Sequence, residues 1–342
     1  MNFFLPSAAH AKTLRKAMDV ALWDSARDML LEAGCPAPAS SGLDTFSGSE
    51  LTNFLDFAAY FDLDACLREG SATTSERGQA AIEHLKDRLA AGVPLEPVAG
   101  PPRLSNLSSE CYDAGQLAQM LRWWDAEPAN RLSLIGASQA ECERSAILID
   151  TALDFMAKAA PNVLGEMQFV IRDIVLTKTD GTNLINYSGA SSFGLWGAIT
   201  VNAETQCEWI QLYRLLAHET GHNMLFGIAR DRPLVKADPS VRRRSPIRAD
   251  PRSLNGIFHA GYVSAREALA LEALLSWHEH GGNLPGDDAE IIADTLELSV
   301  LAFWQCLEAL RAEPELGPTE FGETILADCE AYMTANFALE PV

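Results

Sequence analysis

A chain of 342 residues with 47 Asp and Glu against 26 Lys and Arg carries a formal net charge of −21, which excludes nucleic acid and anionic membrane as partners for the bulk of its surface. A hydrophobic content of 48% predicts a folded, soluble protein with a sizeable core, and no apolar run approaches the roughly 18 to 20 residues of a membrane span. Seven widely spread cysteines without a CxxC pair, and an N-terminus lacking the basic-then-apolar order of a secretory signal, predict reduced thiols in the cytoplasm.

Residues 11–31, 51–68 and 74–91 each place apolar side chains at three- and four-residue steps and read as helices. Gly34, Pro36, Pro38 and the stretch 40–48 separate the first two. Isolated His10 and His84 read as surface or capping residues. The Pro/Gly-rich stretch 92–105, GVPLEPVAGPPRLS, is the clearest linker signal. It divides the chain into an N-terminal helical subdomain, 1–105, and a larger domain with C-terminal helices, 106–342, which holds the candidate site residues taken up below.

Helices follow at 112–124 and 141–159, the second with Ile147, Leu148, Ala152, Leu153 and Phe155 on its apolar side. From Met167 the β-branched run MQFVIRDIVLTKT predicts a strand, with Asp180-Gly181 as its turn. A loop at 187–192 and a strand at 193–201 lead towards the segment LLAHETGHNMLFG, 215–227. Strands followed by such a helix suggest an edge strand able to bind an extended peptide.

That segment contains His218, Glu219 and His222 in the order HExxH. Residues four apart lie one turn above each other on a helix, so the two imidazoles can grip one metal ion with Glu219 beside it. A chance match in a chain of this composition is on the order of one in a hundred. Trp209, Ile210, Leu212, Tyr213, Leu216 and Leu225 carry a helical apolar period through the motif. Just after it, residues 230–252 hold eight Lys and Arg against three Asp, a local excess of +5 that suits either a solvated loop or a rim for an anionic substrate.

Asp250-Pro251 has the form of an N-cap with proline at the first helical position, which predicts one long helix over 252–280 ending at Gly281-Gly282. His259 falls in its third turn, and seven-residue steps place Arg252, His259 and Arg266 along one stripe. His278 and His280 act electrostatically at the helix end. The remainder, 287–337, forms supporting helices around Leu296, Leu301, Phe303, Trp304 and Leu307. The whole predicts an α+β protein, mainly helical, with a zincin-like HExxH helix beside a small β-sheet and additional N- and C-terminal helices.

Catalytic metal sites usually take three protein ligands and leave positions open. His259, Glu267 and Glu272 are the candidates for the third, while Ile228 stands where a metzincin would place its own. The segments LLAHETGHNMLFG and SPIRADPRSLNGIFHAGYVSAR, 245–266, resemble the HExxH-motif family of peptide-modifying proteins from gene clusters for ribosomally made natural products. That family has a DPRPLxGxxHG-like segment, matched here by Asp250, Pro251, Arg252, Leu254, Gly256 and His259; Ser253 and Ala260 depart from it. The likeness covers about residues 140 to 275.

The resemblance implies an iron(II)- and 2-oxoglutarate-dependent peptide β-hydroxylase, with a ribosomally made precursor peptide as substrate. His218, His222 and His259 would hold Fe(II), and Arg252, Arg266 or Arg248 would bind the distal carboxylate of 2-oxoglutarate. A zinc metallopeptidase with Glu219 as general base is the second chemistry open to the motif. A catalytically silent peptide-binding protein is the third.

Overall fold

The computed structural model describes residues 2–36, 51–93, 96–125, 131–182 and 187–337. It is mainly helical, with a small sheet, an α+β chain. Two compact units divide it: one comprises Met1–Ala8, Ala146–Met167 and Gln206–Val342, the other Ala9–Ser145 and Gln168–Thr205. The division therefore does not fall at residue 105. The end of the predicted linker is a strand, β1 (Arg103–Asn106), which pairs in parallel with β3 (Asp173–Thr179) and ties the N-terminal helices to the sheet.

The sheet unit carries α1 (Ala8–Glu32), α2 (Phe54–Arg68), α3 (Glu76–Ala91) and α4 (Ala114–Trp124). Its strands run in the order β1-β3-β5-β4, where β4 is Gly189–Ser191 and β5 is Ala198–Asn202. β2 (Leu134–Gly136) pairs with β3 beyond the end of β1, so the two short strands share one edge of β3. β3 and β5 are parallel neighbours, and their Ile, Val and Leu side chains are buried on both faces, as a parallel pair requires. Phe54, Leu107, Met120, Trp124, Val175 and Leu195 form the centre of this unit's core.

Asp56 holds the helical part of this unit together. Its Oδ2 accepts from the Asn53 backbone N–H while Asn53 caps α2 in return. The same carboxylate accepts from Arg88 and pairs with His84, both on α3. His84, whose side chain is 32% exposed, thus reaches from near the surface to a buried carboxylate, a partner that its isolation in sequence does not imply. Burial raises the pKa of Asp56, but the His84 bond and the Arg88 cation outweigh it and the net shift is downward. A depressed folded-state pKa gives stability that is complete above the ordinary carboxylate pKa, about pH 4, and is lost as the pH falls below it. Urea melts of wild type and Asp56→Asn across pH are therefore expected to differ by a few kcal/mol at pH 7 and to converge in acid. A gap that stays constant with pH would show that the charge of Asp56 contributes nothing.

In the other unit, α7 (Trp209–Ile228), α8 (Leu254–Glu279), α9 (Asp288–Arg311) and α10 (Glu320–Asn336) follow in order. α8 is the central element, buried on nearly every side from Ile257 to Leu271. Fully burying one side chain such as Phe258 contributes about 1.5–3 kcal/mol. Tyr213 on α7 donates to the Ala270 carbonyl on α8 at 2.9 Å, which fixes the register of the two helices. A Cβ added at Gly221, inside the HExxH motif, would lie 3.3 Å from Val263, so the missing side chain lets the two backbones approach closely.

Several sequence expectations are corrected here. Met167 lies in a helix, α6 (Pro161–Val170), and the strand starts only at Asp173. Pro161 opens that helix at its first position, a start signal that the following β-branched run masks. On α5 (Gln139–Ala159), Ala152 and Phe155 are buried as expected, but Ile147 is 68% exposed, and Ser145, Ile149 and Met156 complete the buried face. The long helix begins at Leu254, because Ser253 supplies the cap through its hydroxyl to the Gly256 N–H at 3.1 Å. Pro251 is instead in β7 (Pro251–Ser253), which pairs antiparallel with β6 (Arg242–Arg244) in a two-stranded ribbon. The interval 40–48 lies outside the described residues. No helix among the described residues is long and apolar enough to cross a membrane.

Candidate metal centre

α7 is anchored at its start: Trp209 stacks on Phe155 with ring centroids 4.1 Å apart and donates Nε1–H to Asp288 at 3.0 Å. From there four residues at four-residue steps, Arg214, His218, His222 and Phe226, share one face. The His218 and His222 rings meet at 4.8 Å. α8 brings His259 against that stripe, in its second turn because the helix starts later than the sequence implies.

His222 Nδ1 and His259 Nδ1 are 3.2 Å apart. Two imidazole nitrogens held about 2.1 Å from one ion at tetrahedral or octahedral angles stand roughly 3.0–3.4 Å apart. The pair has ligand spacing. Phe226 closes over both rings, 6.1 Å from His222 and 5.0 Å from His259. Burial, together with the neighbouring His218, His259 and Arg248 charges, holds His222 well below the usual imidazole range, and burial takes His259 down to about 4. Both shifts favour the neutral imidazole, and at 3.2 Å the Nδ1–H of one ring donates to the Nδ1 of the other; with both protons on Nε2 instead, the two Nδ1 lone pairs would be free for one ion.

His218 is held differently. Its Nδ1 lies 2.7 Å from Glu267 Oε1. Glu267 also accepts from Ser299 at 2.8 Å and has Arg214 4.0 Å away. Burial disfavours the imidazolium of His218, but the Glu267 bond and charge outweigh it and raise the pKa. For Glu267, burial favours the neutral acid, yet His218, Arg214 and Ser299 hold the pKa below the ordinary value. A carboxylate at one ring nitrogen holds the proton there and would leave Nε2 free for a ligand. Of the three residues left open for the third ligand, His259 is thus the one beside His222, and Glu267 stands behind His218. Glu272 instead accepts from Tyr332 at 3.5 Å.

The donor chemistry fits a divalent transition metal, and two of the three imidazoles already have ligand spacing. Among the described residues, no group of three or more His, Cys, Asp or Glu side chains is arranged to hold a metal ion as it stands. The Glu267 contact engages only His218 Nδ1, and among the described residues His222 and His259 are the imidazoles whose ring nitrogens approach one another. No protein-family model matches this chain, and no curated protein matches it either.

The three arginines separate. Arg266 is 2% exposed and donates to Glu166 at 2.8 Å and to the Phe4 carbonyl at 2.6 Å, so its guanidinium is engaged within the core. Arg252 lies on the ribbon instead of the helix, and its Nε is 2.7 Å from Asp250. Neither atom of that contact makes an aligned hydrogen bond. Arg248 is exposed and keeps its guanidinium free of ion pairs among the described residues. Desolvation and the adjacent Arg252 cation lower its pKa, Asp250 and Glu219 act against this, and its own charge reaches His222. Of the three, Arg248 is the cation available to an anion at the centre.

Sequence reasoning missed Arg214, Phe226 and Ser299. The first two were legible as a continuation of the four-residue spacing through HExxH. Ser299 had no signal, since only the packing of α9 on α8 brings it to Glu267.

Proposed function

We propose that this protein is an iron(II)- and 2-oxoglutarate-dependent oxygenase that hydroxylates a ribosomally made peptide, acting through an HExxH helix of the zincin type. The observation that carries the reading is the 3.2 Å approach of His222 Nδ1 to His259 Nδ1. It joins the HExxH helix to the histidine of the DPRSLxGxxH segment, the two stretches in which the sequence resembles that family. Bound iron(II) would couple the oxidation of 2-oxoglutarate by O₂ to hydroxylation of a peptide carbon.

The chain's own residues do the rest. Glu267 keeps the proton on His218 Nδ1 and leaves Nε2 free, while His222 and His259 remain neutral in their low-dielectric setting. Arg248 offers the guanidinium fork that a carboxylate accepts from in two parallel hydrogen bonds. All seven cysteines are free thiols, which supports a cytoplasmic location. The test is anaerobic addition of 2-oxoglutarate to iron(II)-loaded protein: a visible charge-transfer band supports the reading, and its absence with tight zinc retention and peptide cleavage refutes it.

One observation favours the zinc peptidase as a second reading. Glu219 is 2% exposed, and its charge acts on both His218 and Arg248, which supports a role as general base for a metal-bound water. Glu219→Gln separates the two. A peptidase should lose about 10³-fold or more in kcat/KM, whereas a hydroxylase should keep a measurable fraction of its turnover.

A further inference from the structure

We infer that the ribbon formed by β6 and β7 is a docking edge for an acidic, extended peptide segment, gripped by Arg242 and Arg244. The inference rests on the peptide substrate of the proposed function and names its class and its place of entry.

The starting observation is where the charges of the 230–252 segment go. Arg243 forms a fork with Glu313, with Nη2 to Oε2 at 2.7 Å, and so ties the ribbon to the turn before α10. Arg232 lies over the Phe321 ring at 3.5 Å, Lys236 donates to the Pro314 carbonyl, and Arg230 and Arg252 face Asp231 and Asp250. Two guanidiniums are left without a carboxylate partner among the described residues, those of Arg242 and Arg244, whereas Arg248 feels the charges of Asp250 and Glu219. Strand alternation sets Arg242 and Arg244 on the face opposite Arg243, and both are exposed.

Charge complementarity identifies the occupant. The chain has a net charge of −21, which repels an acidic peptide on average, whereas Arg242 and Arg244 give the ribbon a local attraction for it. Polynucleotides carry far more negative charge per unit length and would meet that same repulsion over a larger area. The backbone adds a second term. The ribbon has only two strands, so each outer edge lacks a strand partner among the described residues and can take a third strand through main-chain hydrogen bonds.

The position of the ribbon makes the docking productive. β7 runs directly into α8, whose cap is Ser253, and His259 follows six residues later, roughly 9 Å along the axis. Arg248 lies between, close enough for its charge to be felt at His222. A peptide held on the ribbon therefore delivers its next residues to the histidines.

The test measures binding and leaves turnover aside. A labelled peptide of alternating Glu and Val, about ten residues long, is titrated into the full chain, beside a matched Gln/Val peptide and a single-stranded RNA of similar length. The acidic peptide should bind at least about tenfold more tightly than the neutral one, with affinity falling as salt rises. The Arg242→Glu/Arg244→Glu double variant should lose about tenfold or more for the acidic peptide and gain affinity for a Lys/Val peptide. If that variant fails to fold, Arg242→Gln and Arg244→Gln should each lose a smaller share. Equal binding of the neutral peptide, unchanged affinity in the variants, or tighter binding of RNA would overturn the inference. The variants should retain iron(II) and the 2-oxoglutarate band, so a failure of docking and a failure of the oxygenase reading remain distinguishable.

Discussion

Replacing His222 by alanine is expected to remove iron(II) retention and the 2-oxoglutarate band together, while Glu267→Gln weakens metal affinity only about 10- to 100-fold. The difference follows from what each side chain touches. His222 is one half of the pair at 3.2 Å, and its loss leaves His259 facing a cavity where the imidazole stood. A two-ligand remnant holds a divalent ion weakly, so affinity should drop by at least about 100-fold. Glu267 acts through His218. Glutamine keeps one oxygen to accept the Nδ1–H at the Oε1 position, puts an amide nitrogen in place of the Oε2 that accepts from Ser299, and removes the charge that raises the pKa of His218. Metal titration under anaerobic conditions reads both variants, and circular dichroism checks that α7 survives. If Glu267→Gln strips the metal as completely as His222→Ala, Glu267 is itself a ligand and the assignment of His259 falls.

Different parts of the fold and the site were legible in the sequence for different physical reasons. The α7 helix was readable because its apolar period runs unbroken from Trp209 to Leu225, and because two histidines at a four-residue step have meaning on a helix alone. The start of α8 was misread because Asp250-Pro251 imitates a cap followed by proline. Ser253, three residues before Gly256, is an equally valid cap, and the choice is decided by the pairing of Pro251, Arg252 and Ser253 with a strand that precedes them. Three-residue strands leave no periodicity to read. The same displacement moved Arg252 off the helical stripe, so the expected alignment of Arg252, His259 and Arg266 could not hold. Arg266 was placed on the right helix but given the wrong partner. The carboxylate that engages it, Glu166, is 100 residues away, and no local pattern points to a pairing of that range.

The second large effect is expected at that pair. Glu166→Ala should destabilise the protein by about 3–5 kcal/mol, because it leaves the Arg266 cation without a counter-charge at 2% exposure. That is a large share of the roughly 5–15 kcal/mol by which folded domains are stable. Glu166 Oε2 also accepts the Ser7 N–H at 3.1 Å, and Arg266 donates to the Phe4 carbonyl, so the pair fastens the N-terminal segment to α8. Burial raises the pKa of Glu166 and Arg266 counters it, whereas for Arg266 the carboxylate outweighs burial and keeps the guanidinium charged. Glu166→Leu combined with Arg266→Met removes both charges and should recover most of the loss, leaving about 1–3 kcal/mol for the Phe4 carbonyl stripped of its donor. Thermal melts of the single and double variants give these values. The same proteins decide which arginine serves the oxo acid. The double variant should keep the 2-oxoglutarate band, because Arg266 faces Glu166 and the N-terminal segment, while Arg248→Ala should weaken 2-oxoglutarate binding about tenfold or more. A double variant that is stable yet has lost the band, beside an Arg248→Ala protein that retains it, would return the role of anion partner to Arg266.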